Sequence, residues 1–199
     1  MRCPAPVFRR WYPTSSGILI DFLGPQRFYR FALPPNQVGI WRAYHEMVKV
    51  SGLSCPPTLV FVESLGGEAG IYFRDLIMLG IRDAFLIAAR IMKSSRKPRT
   101  PKRLLGLTHS VLKRVLAHEI GHALDKERAL QAPFRDAEAR ADFAAGWIDA
   151  MLGGDPWIGR EVFRAIGCES LGCTHPSAAG RAHAYITGRQ RAIRSMLAV

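Results

Sequence analysis

The first third of the chain alternates short apolar runs with chain breakers. Residues 1–33 mix aromatics with runs such as Ile18-Leu19-Ile20 and read as an N-terminal arm or a hairpin lying against a core. Pro34-Pro35-Asn36 stops that segment. From Val38 to Val50, Trp41, Tyr44, Met47 and Val48 recur at helical spacing, which gives a helix one apolar face. After Pro56-Pro57, the run Thr58 to Val62 is β-branched and aromatic, the composition of a buried strand. Gly66-Gly67 marks a turn, and Ala69 to Phe73 and Leu76 to Ile81 read as further extended segments around Arg74-Asp75. Over Ala84 to Met92 the periodicity fits a helix and a strand equally well.

The pattern then changes. Pro98 and Pro101 interrupt residues 93–103, which read as a loop. A long helix is predicted from Thr108, with Thr108 or Ser110 as its cap and Val111, Leu112, Val115 and Leu116 on its apolar face. A second helix covers about Arg135 to Leu152 and stops at Gly153-Gly154. A third is capped by Asp155, carries Pro156 in its first turn and ends near Gly167. A fourth runs from about Pro176 to Thr187, before Gly188. Mixed elements followed by helices predict an α+β class, and 199 residues suit one domain with a substantial core.

Composition narrows the setting. No apolar run reaches the roughly 18 residues of a membrane span; the nearest, Leu76 to Met92, is broken by Arg82, Asp83 and Arg90. No transmembrane segment is therefore expected, and without a secretory signal pattern the expected location is cytoplasmic. Cys3, Cys55, Cys168 and Cys173 form no CxxC pair, so free thiols are expected, with a Cys168–Cys173 pair as the alternative. The net charge of +12 favours acidic partners. It concentrates in the basic loop 93–103, which reads first as a solvated loop and second as a docking surface for an anionic partner or membrane. Arg189, Arg191 and Arg194 add to it. The interleaved aromatics of a single-strand nucleic-acid binder are missing from both segments.

The chemistry concentrates in the long helix. His118-Glu119-Ile120-Gly121-His122 is an HExxH motif. Residues i and i+4 share a helical face, so two imidazoles reach one ion, while the neighbouring glutamate is free to take a proton from water. The helix around it is apolar, and unpaired histidines there would be costly. Glu138 follows 16 residues after His122 on the next helix and can fold back as a third ligand. Asp142, one turn later on the same face, is placed to accept the free ring N–H of a ligating histidine. Asp125 shares the face of His122 and reads as a partner of that histidine or as a salt bridge. The expected cofactor is one Zn2+ per chain, held by His118, His122 and Glu138 with Glu119 as general base, and the expected reaction is hydrolysis of a polypeptide substrate. A structural zinc site would need a fourth protein ligand. A nucleic-acid-associated zinc protein that binds a partner without turnover is the reading from another class.

HEIGHALD followed by EARADFAAG resembles the gluzincin metallopeptidases, in particular the soluble catalytic part of the HtpX and CaaX-prenyl-protease type. That resemblance implies a zincin-like fold in which a small sheet presents an edge strand beside the cleft, here through Gly70 and Ile71, to hold peptide by backbone pairing. Thr174-His175-Pro176 with Arg181 resembles the HPxxxxR element of that group. His175 is then expected to stabilise an oxyanion or act as a transient ligand, or else to cap the helix at Pro176. Arg181 is expected to pair with an acidic side chain, or to bind a substrate carboxylate. Cys168, Cys173 and His175 have unconvincing spacing for a second metal site. The membrane-spanning helices of the HtpX type are absent from the sequence. The ImmA/IrrE-like regulatory proteases share HExxH with a later ExxxD and stand as the alternative group.

Overall fold

Strand β6 (Leu76–Gly80) is buried along its whole length and organises the molecule. In the computed structural model, which describes residues 11–20, 27–95, 97–167 and 176–198, it pairs in parallel with β4 (Thr58–Val62) and antiparallel with β5 (Gly70–Phe73). The strand order β4-β6-β5 leaves β5 at an edge. Alternate residues of a strand face opposite ways, and β6 uses both faces. Ile77 and Leu79 join the main core, whereas Leu76 and Met78 join a smaller one with Ile18, Ile20, Tyr29, Val62 and Leu65.

That smaller core explains the N-terminal region. Its described part is a three-stranded antiparallel sheet of β1 (Trp11–Pro13), β2 (Gly17–Ile20) and β3 (Arg27–Arg30), where an arm or a hairpin was expected. The sheet is tied on by a bridge between Phe31 and Val62, with Glu63 N–H donating to Arg30 O at 2.8 Å. Helix α1 (Gln37–Ser51) begins where the Asn36 side chain accepts from Gly39 N–H, and ends at Gly52 with φ of 67°.

The ambiguous segment after β6 is helix α2 (Ile81–Ser94). Its Asp83 is buried and accepts from Leu65 N–H at 2.6 Å and Gly67 N–H at 3.0 Å, fixing the turn that leads into β5. The basic stretch is only partly a loop. Helix α2 carries Lys93, and α3 (Pro101–Glu127) starts already at Pro101, so residues 95–100 alone connect them. Proline has no N–H to lose in a first turn, and Thr100 caps it by accepting from Arg103 N–H. The expected caps Thr108 and Ser110 lie inside the helix, with hydroxyls donating to Leu104 O and Gly106 O.

Helices α4 (Ala137–Met151), α5 (Pro156–Ile166) and α6 (Ala178–Leu197) complete a mixed α+β architecture. Helix α6 does not stop before Gly188. That glycine lets α6 touch α4, because a Cβ there would lie 1.9 Å from Phe143 O; Gly146 does the same for Tyr185 O. The free-thiol expectation fails at Cys55, which is disulfide-bonded. Cys3, Cys168 and Cys173 lie outside the described residues. Among the described residues no helix is long and apolar enough to cross a membrane.

Candidate metal centre

The middle of α3 is buried between the sheet and the other helices, and it carries His118 and Glu119 inward with it. Gly121 sets how closely α4 approaches, since a Cβ would fall 2.7 Å from Ala141 O. The connection back to α4 is pinned by Arg140, whose Nε and Nη2 donate to Asp125 at 2.6 and 2.8 Å and whose Nη1 reaches the carbonyl of Arg135. Asp125 is thus a salt-bridge residue; of its two expected roles, partnering His122 is not the one the geometry records. Asp136 caps α4 by accepting from Ala139 N–H.

Folded back in this way, α4 points Glu138 at both histidines. Its Oε2 lies 3.3 Å from His118 Nε2, and its Oε1 lies 3.3 Å from His122 Nε2. The two Nε2 atoms are 3.1 Å apart. One ligand atom from each of the three residues falls within 4.8 Å of the others, so this group can hold a metal ion. Fully buried Asp142 meets His118 Nδ1 at 2.8 Å. A proton on Nδ1 leaves the Nε2 lone pair facing a carboxylate, an arrangement that is repulsive unless a cation or a second proton lies between them. Two imidazole nitrogens and a carboxylate oxygen are a donor set suited to a divalent transition-metal ion.

Arg181 fixes Asp142 in turn. Its Nε donates to Asp142 Oδ2 at 2.9 Å and its Nη2 to Oδ1 at 2.8 Å, while Nη2 lies 3.8 Å from Glu138 Oε2. Pairing with an acidic side chain is therefore its observed role. His175 lies outside the described residues.

The electrostatics follow from these contacts. Burial works against a charge on His118, but the hydrogen bond and charge of Asp142, with help from Glu138, outweigh it and raise the imidazole to about 9. Burial likewise opposes ionisation of Glu138, yet hydrogen bonds from both histidines hold it well below the usual carboxylate range. Glu119 goes the other way: burial raises it, and the nearby histidines only partly offset that. Arg181 is raised, because the charge and hydrogen bonds of Asp142 overcome its burial.

Glu119 is not among the three converging residues. It sits against β5 at Gly70, where a Cβ would lie 2.5 Å from Glu119 Oε1 and 2.4 Å from Val115 Cγ1. All of these groups open on a cleft of about 770 Å³ that Gly70, Ile71 and Tyr72 of β5 line, with Leu86 and Ile87 of α2 and Ile166 of α5 also on its wall. The Tyr72 ring stacks on His122 at 6.4 Å between centroids, and the Phe163 ring lies 6.2 Å from that of His118. Sequence reasoning missed both aromatics, which look like ordinary core residues. Gly70 carried a readable signal, since a glycine inside an apolar strand marks a close approach. Compared with known proteins, the chain matches no protein-family model, no curated protein and no solved structure.

Proposed function

We propose that this chain is a zinc-dependent endopeptidase with a zincin-like fold, of the gluzincin kind. The observation that carries the reading is the convergence of His118, His122 and Glu138 beside a buried glutamate, Glu119, that is not one of them. Zinc held there supplies Lewis acidity and lowers the pKa of water to about 7. Glu119 takes the proton of the attacking water and returns it to the leaving amine. Its raised pKa suits a group that must both accept and release a proton near neutrality. Asp142 holds the His118 ring with Nδ1 protonated, and Arg181 holds Asp142. Tyr72 steadies His122 from the strand side. The edge strand β5 presents backbone donors and acceptors to an extended peptide, with Gly70 and Ile71 nearest the reacting bond. A purely structural zinc site would use a fourth protein ligand; among the described residues the group stops at three and faces a cleft.

The test is hydrolysis of a mixed peptide library by the wild type, the chelated protein and Glu119→Gln. Hydrolysis is expected to vanish with chelation, to return with zinc, and to drop by about 10²–10⁴-fold in the variant. Unchanged turnover in Glu119→Gln removes the assigned base and the reading with it.

A further inference from the structure

Charge and exposed apolar surface collect at the end of the helical bundle remote from the metal centre. Helix α3 runs antiparallel to α4, since His118 meets Glu138 and Asp142 while Arg114 meets Asp149. Helix α6 runs parallel to α4, with Arg181 on Asp142 and Arg189 on Asp149. Helix α5 brings its first turn to the same end, where Arg114 Nη2 donates to Asp155 O. This pole therefore gathers the tip between α2 and α3, the start of α5 and the ends of α4 and α6. It lies roughly 20 Å from the metal centre, counted as the helical rise from Arg181 to Arg194.

Lys93, Lys97, Arg99, Lys102, Arg191 and Arg194 are all exposed there, and none has a carboxylate partner among the described residues. No acidic residue occurs between Asp83 and Glu119, or after Glu169. Nearby Asp149 is buried under Arg114 and Arg189, and Asp155 is occupied in capping α5. Lys102 and Arg103 fall in the first turn of α3, where the helix end is itself positive and acids are favoured. The tip is nevertheless built: Arg103 Nη1 and Nη2 donate to Pro98 O at 3.0 Å and Ser95 Oγ at 2.6 Å, and Arg99 donates to Lys93 O. Among these cations stand large apolar side chains, Leu105 (51% exposed), Trp157 (41%), Ile193 (43%) and Met196 (45%).

We propose that this pole docks the protein on an anionic lipid bilayer. The lysines and arginines meet the headgroup charges, and the aliphatic and indole side chains enter the boundary with the acyl chains. The aliphatic surface selects lipid over nucleic acid. Bases stack on aromatic rings and gain nothing from Ile193 or Met196. Trp157, the one exposed aromatic at this pole among the described residues, already carries Lys97 Nζ 5.7 Å from its ring centre. The inference does not depend on the peptidase reading, and Glu119→Gln protein serves equally well to test it.

The experiment is cosedimentation of the full chain with vesicles of phosphatidylcholine alone or mixed with phosphatidylserine, at about 0.15 M salt. Binding to the mixed vesicles, and little to the neutral ones, is expected. Lys97→Glu with Lys102→Glu, Arg191→Glu and Arg194→Glu removes it, at about fivefold or more per position. Ile193→Ser with Met196→Ser lowers vesicle affinity about tenfold and leaves affinity for a single-stranded oligonucleotide unchanged. Equal binding of the wild type to neutral and anionic vesicles, or no binding to either, overturns the proposal without recourse to any variant. So does tighter binding to the oligonucleotide than to anionic vesicles, with the serine variant behaving as wild type on both.

Discussion

Helices α4 and α6 are bridged twice by a buried aspartate and an arginine, and the two bridges do different things. At one, Asp142 takes both of its arginine contacts from Arg181 and then holds His118, leaving His118 Nε2, His122 Nε2 and Glu138 turned toward a cleft. At the other, two turns along, Asp149 takes Arg189 at 2.6 Å, Arg114 at 3.3 Å and the Tyr185 hydroxyl, and all four residues are buried. Tyr185 is itself clamped: it stacks on Phe163 at 4.8 Å, and Gly159 leaves room for its hydroxyl. Both clusters are buried, although the second sets two arginines against one aspartate. What separates them is that one has donor atoms left over, aimed at a shared point beside open space. A buried Asp–Arg pair alone marks packing; the same pair behind a histidine whose other nitrogen faces a second histidine and a carboxylate marks a group that can hold a metal ion.

Four experiments break or sharpen this contrast. The largest effect belongs to the closed cluster. Asp149→Asn leaves Arg114 and Arg189 buried without their counter-charge and is expected to lower folding stability by about 3–5 kcal/mol, read by denaturant melts. Metal bound per folded molecule stays the same. Asp142→Asn acts on the open cluster instead, lowering zinc affinity by about 10–100-fold in a competition titration. If Asp149→Asn weakens zinc binding as much as Asp142→Asn does, the division of roles is wrong.

Acidity gives the third. In the metal-free protein His118 is raised from 6.5 to about 9, so zinc must displace a proton over that range. From about pH 9 to 6.5 apparent zinc affinity should weaken by about tenfold for each unit that pH falls, and the competition continues at lower pH. The same shift sets the sign for stability. The His118 contribution is complete below pH 6.5 and disappears as pH rises through about 9, so metal-free protein should melt lower at high pH. A flat zinc affinity across this window contradicts the assigned contacts. The smallest effect comes from Asp125→Asn, where a partly exposed pair with Arg140 is broken: about 1 kcal/mol or less in stability, with zinc affinity intact.

Much of this was legible in the sequence, for reasons that can be traced. The i, i+4 spacing of His118 and His122 and the small residues around Glu138 and Asp142 dictated one shared face on each of two packed helices. Strands β4, β5 and β6 followed from their runs of apolar residues. Two boundaries misled because punctuation residues served another purpose. Pro101 opens a helix rather than breaking one, and Gly188 admits the α4 backbone rather than ending α6. The Asp149 cluster was invisible because its four residues come from three helices, and no local pattern joins Arg114 to Tyr185. The cap that Asp83 provides for residues 64–67 is equally non-local.

The most direct measurement is the metal content of purified protein by elemental analysis, comparing wild type, Glu119→Gln and Glu138→Gln. One zinc per chain is expected in the wild type and in Glu119→Gln, and far less in Glu138→Gln. Retention of a full equivalent by Glu138→Gln, or its loss from Glu119→Gln, contradicts the assignment of ligand and base.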